Sequence, residues 1–377
     1  MFVSKTHRLW IILSVFFIGA TPLFSNDDCC PAPDPCDKCA QIWPSRGPDW
    51  IITPSAGPCV SKGFDANITA DFIYWTARED HLGFALKESI QTQPDGQITQ
   101  TDRGRVIHPD WNFEPGFKIG VGYLYDHDGW DIQATYTWLR VRNTKNSVSI
   151  DDLNTERILE VGGFGVFAGL SDVTEASGRW QLDFNVVDLE LGRNFFISRY
   201  LKLHPHFGLK GTWQDQDYQV DALGVAQEFQ VQDNRATSEN KHHLEYWGIG
   251  ILAGLDTTWH FNRCTSFLGN IRVSALWERF EVDNKSTRAL LVPQVGNSPV
   301  TILYAENDFR TIKPVLELFL GLRWETWFCC DGYHFSIEGG WEEQWWSDQN
   351  QFFEPTINSR EGDLNLQGFT VKMRLDF

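Results

Sequence analysis

Two histidines, His204 and His206, occupy alternate positions on one polar face of a predicted strand. Alternate strand residues point the same way, and imidazole is a common ligand for zinc, copper and nickel. Protein zinc sites use three or four protein ligands, however, and an isolated pair of ligands rarely makes one. We therefore expect solvated histidines and no bound metal, both here and at His242 and His243.

Hydrolytic chemistry would need a serine nucleophile beside a histidine and an acid. Ser336 and His334 share a predicted strand face with Glu338 and Glu342, but the chain has no Gly-x-Ser-x-Gly motif. Nothing in the sequence places a nucleophile next to a base. A polar wall is the simpler interpretation of this face, and we expect neither an enzyme nor a cofactor.

The cysteines lie on one side of the predicted fold, before the first strand or in short turns. They are Cys29, Cys30, Cys36, Cys39, Cys59, Cys264, Cys329 and Cys330. In an exported chain disulfides are the default, and vicinal cysteines favour links to other segments or other chains. The Cys36-x-x-Cys39 spacing leaves a zinc site or a redox dithiol open as the alternative.

The N-terminus has the features of a secretory signal peptide: a positive head at Lys5 and Arg8, a short apolar run and small residues after it. The apolar run is too short to span a membrane as a helix. We predict a signal peptide over residues 1–25, cleaved after Ser25 or, as the alternative, after Ala20.

Residues 26–62 form a second segment, which is rich in both proline and cysteine. Proline at this density excludes regular strand pairing. We predict a Pro- and Cys-rich periplasmic arm over 26–62, followed by one all-β domain over 63–377.

The elements that must position these residues are strands, because the chain from residue 63 onward alternates apolar and polar side chains. Ten strands are clear, and the connections between them alternate between short and long. This parity is typical of a transmembrane antiparallel up-and-down β-barrel, which has short periplasmic turns and long extracellular loops. A soluble β-sandwich has no reason to keep it. One strand slips phase near Val187, which suggests a bulge.

Two long connections contain further hairpin signals, one around Pro94-Asp95-Gly96 and one within 290–301. If both add strands to the wall, the even total becomes about 12 to 16. A barrel of that size encloses a lumen that holds water.

The chain ends in an amphipathic strand whose apolar positions resemble the signal that the barrel-assembly machinery recognises during insertion. Those positions are Phe369, Val371, Met373, Leu375 and Phe377. With 17 Trp and 27 Phe, the chain also has enough aromatic residues for two belts at the membrane interfaces. Its formal charge of −18 argues against a nucleic-acid partner.

Alternation places a set of charged side chains of mixed sign on the lumen face. The predicted lumen residues are Asp65, Asp71, Lys118, Asp131, Lys202, Lys210, Arg272, Glu278, Lys313, Glu317, Arg323, Glu325, Glu338, Lys372 and Arg374. Mixed signs predict at most a mild preference for cations.

The block from Ala70 to Ala85, ADFIYWTAREDHLGFA, resembles the first strand of the major outer membrane proteins of Legionella and chlamydia-like bacteria. The cysteine-rich arm and the terminal Phe377 fit the same family. The resemblance implies a porin-like protein, with disulfide cross-links to itself or to other envelope proteins as an option.

We therefore expect a porin in the bacterial outer membrane that lets small polar solutes and ions diffuse passively. The alternative is a structural or adhesive outer-membrane protein without an open channel. A soluble secreted β-rich protein is a third class. The expected partners are outer-membrane lipid, the barrel-assembly machinery and, through disulfides, other envelope proteins.

Overall fold

The computed structural model describes residues 58, 60, 65–92, 98–125, 129–142, 144–150, 156–161, 170–198, 200–226, 235–262, 264–290, 300–329, 331–352 and 361–377. The predicted signal peptide and nearly all of the predicted arm lie outside these residues. Within the described residues we find no helix with the length and hydrophobicity needed to cross a membrane.

The described chain contains fifteen strands. Their bounds are β1 Ala66–Glu79, β2 Ala85–Thr92, β3 Ile98–Ile107, β4 Phe113–Leu124, β5 Trp130–Val141, β6 Asn146–Ser149, β7 Glu156–Val161, β8 Leu170–Arg193, β9 Phe195–Phe196, β10 Leu201–Ala226, β11 Arg235–His260, β12 Thr265–Leu290, β13 Val300–Phe328, β14 Tyr333–Asn350 and β15 Gly362–Asp376.

Ten of these strands close into an antiparallel barrel. Around the wall their order is β4, β1, β15, β14, β13, β12, β11, β10, β8 and β5, which pairs with β4 again. The first and last strands complete the ring, with Asn67 opposite Asp376 and Glu79 opposite Leu364. The all-β, up-and-down barrel predicted from alternation is confirmed, and the ten clear strands are the wall.

The wall therefore has fewer strands than the expected 12 to 16. The hairpin predicted around residues 94–96 does form, as β2 and β3, but it pairs with β7 in a second sheet. Its residues Lys87 and Glu88 are consecutive and charged, so the hairpin offers no face to lipid. The second candidate, 290–301, is the connection between β12 and β13, and residues 291–299 lie outside the described part.

Several strands are much longer than a membrane requires. β10, β11 and β12 have 26 residues each and β13 has 29, whereas about 9–11 tilted residues suffice to cross. Most of residues 215–241 and 281–307, two of the long connections expected between the ten clear strands, are paired strand. Beyond the membrane the outward face is polar and buried residues such as Tyr218 and Val220 face inward, so these stretches lack the apolar outward face that marks a spanning segment.

The outer surface carries an apolar band between two rows of exposed aromatic side chains. We call the end of the barrel with short connections the turn end, and the opposite end the loop end. The row at the turn end comprises Tyr123, Trp130, Trp259, Trp324 and Tyr333, and the row at the loop end comprises Tyr74, Trp213, Trp247, Trp277 and Trp341. These rows match the two interfacial belts of outer-membrane barrels.

The phase slip expected near Val187 does not occur. β8 pairs with β5 and β10 in unbroken register through this region. Val186 faces inward, and Val187 and Leu189 face outward. What changes is the chemistry of both faces: the outward face becomes apolar where the strand enters the membrane, while the inward face becomes charged.

Candidate functional site: the lumen of the barrel

The lumen has two layers with different chemistry, and β8 contributes to both. Toward the loop end its inward residues are Trp180, Leu182 and Phe184, which are fully buried. Toward the turn end its inward residues are Asp188 and Glu190. We call the first layer the apolar seal (Trp75, Trp180, Phe184, Phe280 and Trp346) and the second the charged layer (Lys118, Asp188, Lys210, Glu317 and Glu342).

The apolar seal crosses the full width of the barrel. Phe184 on β8 and Trp346 on β14 meet edge to face, with ring centroids 5.3 Å apart. Their strands lie five positions apart in either direction around the ten-stranded wall, so this contact spans the lumen. Aromatic pairs in this geometry are favourable beyond their buried area.

Each buried indole of the seal has a hydrogen-bond partner. Trp75 Nε1 donates to Thr370 Oγ1 at 3.0 Å, Trp180 Nε1 donates to Gln216 Oε1 at 3.1 Å, and Trp346 Nε1 donates to Gln344 Oε1 at 3.2 Å. A buried indole N–H without a partner would destabilise the fold. Gln216 and Gln344 therefore face inward as hydrogen-bond acceptors for tryptophans of the seal.

Two connections at the loop end fold over the seal. Leu82 and Phe84, which follow β1, and Phe352, which follows β14, are buried in the same apolar cluster. The Tyr218 hydroxyl donates to the Leu82 carbonyl at 3.1 Å. The Asn350 side chain donates to the carbonyl of Asp80 at 2.8 Å. These bonds fix the connections to the wall and extend the closure beyond the membrane.

The charged layer is linked across the lumen by buried ion pairs. Lys210 Nζ lies 2.7 Å from Asp188 Oδ1 and 2.6 Å from Glu317 Oε1, and all three side chains are at most 7% exposed. Lys118 Nζ lies 2.5 Å from Glu342 Oε1. Charges this deeply buried are tolerated only when they are paired, because desolvating them is costly.

The charged layer contains a cavity of about 70 Å³. This volume counts only the positions that the centre of a water molecule can occupy. Asp71, Arg272 and Lys372 are among its lining residues. A buried water needs roughly 10–15 Å³ of such volume, so there is room for a handful of waters. At the level of this cavity the lumen is narrower than the expected 12 to 16 strands would make it, because the wall has ten strands and packed side chains fill the space.

All of the predicted lumen residues except Asp65 occupy inward positions of wall strands. Asp65 precedes β1 at the turn end, where it has a positive φ of 53° and accepts a hydrogen bond from Val60 N at 3.4 Å. Four apolar positions of the predicted insertion signal, Phe369, Val371, Met373 and Leu375, face outward on β15, and Phe377 follows the strand. A role in permeation or insertion stays a prediction for both sets.

Sequence reasoning missed several inward carboxylates, among them Asp188, Glu190, Asp256 and Asp376. Asp188 and Glu190 escape prediction because the change of face chemistry at Val187 resembles a bulge in the sequence, although the register there is unbroken. Asp376 accepts hydrogen bonds from the Arg374 guanidinium, with the shortest at 2.6 Å. Strict alternation carried through each whole strand would have identified all four.

The histidines at the turn end are brought together with carboxylates. His204 Nε2 lies 3.0 Å from Asp131 Oδ1, and His206 is buried beside Asp256. Asp131, one of the predicted lumen residues, is therefore paired with His204.

The cysteines described are two exposed, unpaired thiols, Cys264 and Cys329. Both lie in short connections at the turn end, as the sequence predicted. The other six lie outside the described residues. Disulfides therefore stay a prediction, and Cys264 and Cys329 are not bonded to each other in this conformation.

Beyond the loop-end aromatic row, the outward face carries ion pairs between neighbouring strands. We call this set the ionic collar: Arg140, Asp183, Asp217, His243, Arg279 and Asp308. His243 Nδ1 lies 2.9 Å from Asp217 Oδ1. That hydrogen bond, supported by Glu245 and Asp215, raises the pKa of His243 to about 9. The same bond lowers the pKa of Asp217 below its ordinary value.

A family model described as "Legionella pneumophila major outer membrane protein precursor" matches residues 56–377. No curated protein matches the chain. Among solved structures, the outer membrane protease OmpT from Escherichia coli matches at 12% identity and a TM-score of 0.31, covering 84% of this chain and 97% of that one. A Pseudomonas aeruginosa FadL homologue matches at 8% identity and a TM-score of 0.27, covering 83% and 89%. Structures this dissimilar assign no function.

Proposed function

Because this chain belongs to the family of the Legionella pneumophila major outer membrane protein and forms an outer-membrane β-barrel, we propose that it is a structural protein of the outer membrane. Its barrel is closed at rest. Its role is to anchor a rigid β-sheet surface outside the cell and to connect to the envelope at the periplasmic end.

The observation that carries this proposal is the contact of Phe184 with Trp346 across the lumen. A permanently open channel needs a continuous wet path, and a layer of fully buried aromatic side chains interrupts one. Below the seal, Lys210 bridges Asp188 and Glu317. This bridge ties three wall strands together below the seal, and the aromatic layer is the part that opposes the passage of solutes.

The long strands support the external part of the role. Taking the turn end as periplasmic, β13 with its 29 residues continues well beyond the membrane. At about 3.3 Å per residue, the roughly 15 residues beyond a spanning segment measure about 50 Å along the strand, or about 35 Å outward at a tilt of about 45°. The ionic collar pairs neighbouring strands in this region, which favours a stiff sheet over mobile loops.

A passive porin is the second candidate, and the charged layer favours it. Inward charges of both signs, such as Asp71, Arg272 and Lys372, surround the water-sized cavity. Polar lumens of this kind occur in barrels that conduct ions. Conduction here would require the seal to open. The expectation that the chain is not an enzyme stays a prediction in either case.

Single-channel recording in planar bilayers separates the two candidates. The purified protein is compared with a Phe184→Ala, Trp346→Ala double variant, which removes the cross-lumen contact. The matched control is Phe207→Ala, Trp247→Ala, which removes the same two residue types from the lipid-facing surface. The closed barrel predicts no current steps for the wild type and the control, and stepwise conductance for the seal variant.

Stepwise conductance of the wild-type protein would overturn the closed barrel and establish the porin. Current steps in the lipid-face control would mean that truncation alone makes the barrel leak. A connection to the envelope is tested separately on non-reducing gels of intact cells. Reducible ladders that lose bands in a Cys264→Ser, Cys329→Ser variant would support cross-linking, whereas a monomer unaffected by reductant would contradict it.

A further inference from the structure

A group of metal-binding side chains lies at the turn end of the lumen, on the membrane side of the aromatic row. His204 and His206 come from β10, and Asp256 comes from the neighbouring β11. The ligand atoms of these three residues lie within 4.8 Å of one another. His204 Nδ1 and His206 Nδ1 approach the same oxygen, Asp256 Oδ2, at 3.4 and 3.9 Å.

We propose that His204, His206 and Asp256 bind one divalent transition-metal ion, with zinc as the best match. Two imidazoles and a carboxylate are a zinc-type ligand set, and water would complete the tetrahedron. With bonds of about 2.0–2.2 Å the ligand atoms would stand roughly 3.4 Å apart, so the site must contract by about 1 Å when the ion binds. Side-chain rotation can supply a movement of this size.

A carboxylate that would orient His204 toward the ion is already in place. Its other ring nitrogen, Nε2, lies 3.0 and 3.1 Å from the two oxygens of Asp131. A carboxylate that accepts the distal N–H of a ligating histidine fixes its tautomer and its orientation. Asp131 on β5 would therefore hold His204 with Nδ1 free to bind the ion.

His206 is arranged similarly, although less tightly. Its side chain is fully buried, and Nε2 has no hydrogen-bond partner within the described residues. Glu190 Oε2 stands 4.0 Å from that atom and is placed to accept its proton. His206 Nδ1 lies 3.2 Å from the His204 carbonyl oxygen, a contact that metal binding would replace.

The neighbouring strands leave space for both rings by placing glycine opposite them. His206 pairs with Gly192 on β8 and with Gly254 on β11. A Cβ at Gly192 would lie 2.3 Å from His204 Nε2, and a Cβ at Gly254 would lie 2.4 Å from His206 Nε2. Alanine at either position would displace a ring, so the two glycines make room for the imidazoles.

The local charge also suits a cation. Three carboxylates, Asp131, Asp256 and Glu190, surround the two imidazoles, and one cation beside them is Arg272, whose Nε lies 3.4 Å from Glu190 Oε1. Carboxylates withdrawn from water are stabilised by cations. A divalent ion would add to the positive charge that Arg272 supplies. An isolated histidine pair was expected to be solvated, but His206 has no exposed side-chain surface.

The test is zinc binding to the full chain in detergent, without an affinity tag and with all thiols alkylated so that cysteines do not contribute. After chelator treatment, calorimetric titration with zinc chloride is expected to show one ion per chain. His206→Ala should abolish this binding. Asp131→Asn should weaken it about 10–100-fold, because Asp131 orients His204. The control is His243→Ala, which removes an exposed histidine of the ionic collar and should leave the affinity unchanged.

Gly254→Ala keeps every ligand and is expected to weaken binding by at least tenfold. Heat-modifiable gel mobility checks that each variant is a folded barrel. Titration with cobalt provides an independent readout, since a four-coordinate nitrogen and oxygen site gives visible absorption bands that His206→Ala should lose. Absence of stoichiometric binding to the wild-type chain, or full retention of binding in a folded His206→Ala variant, would overturn the proposal.

Discussion

The charged layer inside the barrel and the ionic collar outside it both pair a basic side chain with a carboxylate at similar distances. Lys210 and Glu317 are 2.6 Å apart, and Arg140 and Asp183 are 2.5 Å apart. The first pair is at most 6% exposed, whereas Arg140 is 50% exposed. The distance between two charged groups therefore does not decide how strongly the fold depends on the pair. The exposure of the pair to water decides it.

The difference has a structural consequence. In the charged layer each group depends on its partner, because no bulk water replaces a lost one. In the ionic collar, water and salt ions compensate for a missing partner. The charged layer is thus a constraint on which strands can face each other, while the collar adjusts the stability of an extension that strand pairing already holds.

The largest expected effect is that of Lys210→Ala. This substitution leaves Asp188 and Glu317 as buried carboxylates without their cation, so we expect a loss of about 3–5 kcal/mol in the free energy of unfolding. The measurement is urea unfolding in lipid vesicles, followed by tryptophan fluorescence. The control is Lys241→Ala in the exposed pair with Glu239, where the expected loss is below about 1 kcal/mol. Equal losses of unfolding free energy at the two sites would contradict the expected difference between buried and exposed ion pairs.

A smaller difference is expected from double-mutant cycles, which isolate the pairwise interaction. For Lys118 and Glu342, whose side chains are 9% and 8% exposed, we expect a coupling free energy of about 2 kcal/mol. For Arg140 and Asp183 we expect less than about 1 kcal/mol. Repeating both cycles at high salt should reduce only the Arg140–Asp183 value, and a salt-sensitive value for Lys118 and Glu342 would mean that water reaches the charged layer.

The outward face was the part of the fold that the sequence could predict. Alternation of residues such as Ile68, Phe72 and Phe369 follows from contact with lipid, and it is a local pattern. The closure of β1 on β15 follows from the amphipathic ends of the chain. The second-sheet hairpin was also predicted as a hairpin, because turn residues at 94–96 determine it locally.

The seal could not be predicted in this way. At Tyr74 and Trp75 both faces of β1 are aromatic, so alternation does not indicate which side chain faces lipid. Phe184 and Trp346 meet only because ten strands put β8 opposite β14. The number of strands sets the width of the barrel, and the width decides whether inward side chains touch. Because the sequence suggested more strands, it also suggested a lumen that was too wide.

The smallest expected effect concerns pH and His243 in the ionic collar. Its pKa is raised from 6.5 to about 9, first by the hydrogen bond to Asp217 and further by Glu245 and Asp215; Asp283 on β12 is its other cross-strand neighbour. A raised histidine pKa stabilises the fold fully below the unfolded value of 6.5, and the contribution disappears as pH rises through 9. Because His243 is 37% exposed, we expect a contribution below about 1 kcal/mol.

The measurement compares the unfolding free energies of the wild type and His243→Gln between pH 6 and pH 10. Their difference should be greatest at pH 6, shrink as the pH approaches 9 and be absent at pH 10. High salt should diminish it at pH 6, since the pair is exposed to solvent. A difference that stays constant across this range would mean that His243 contributes by packing, and the collar would then be held by contacts other than charge.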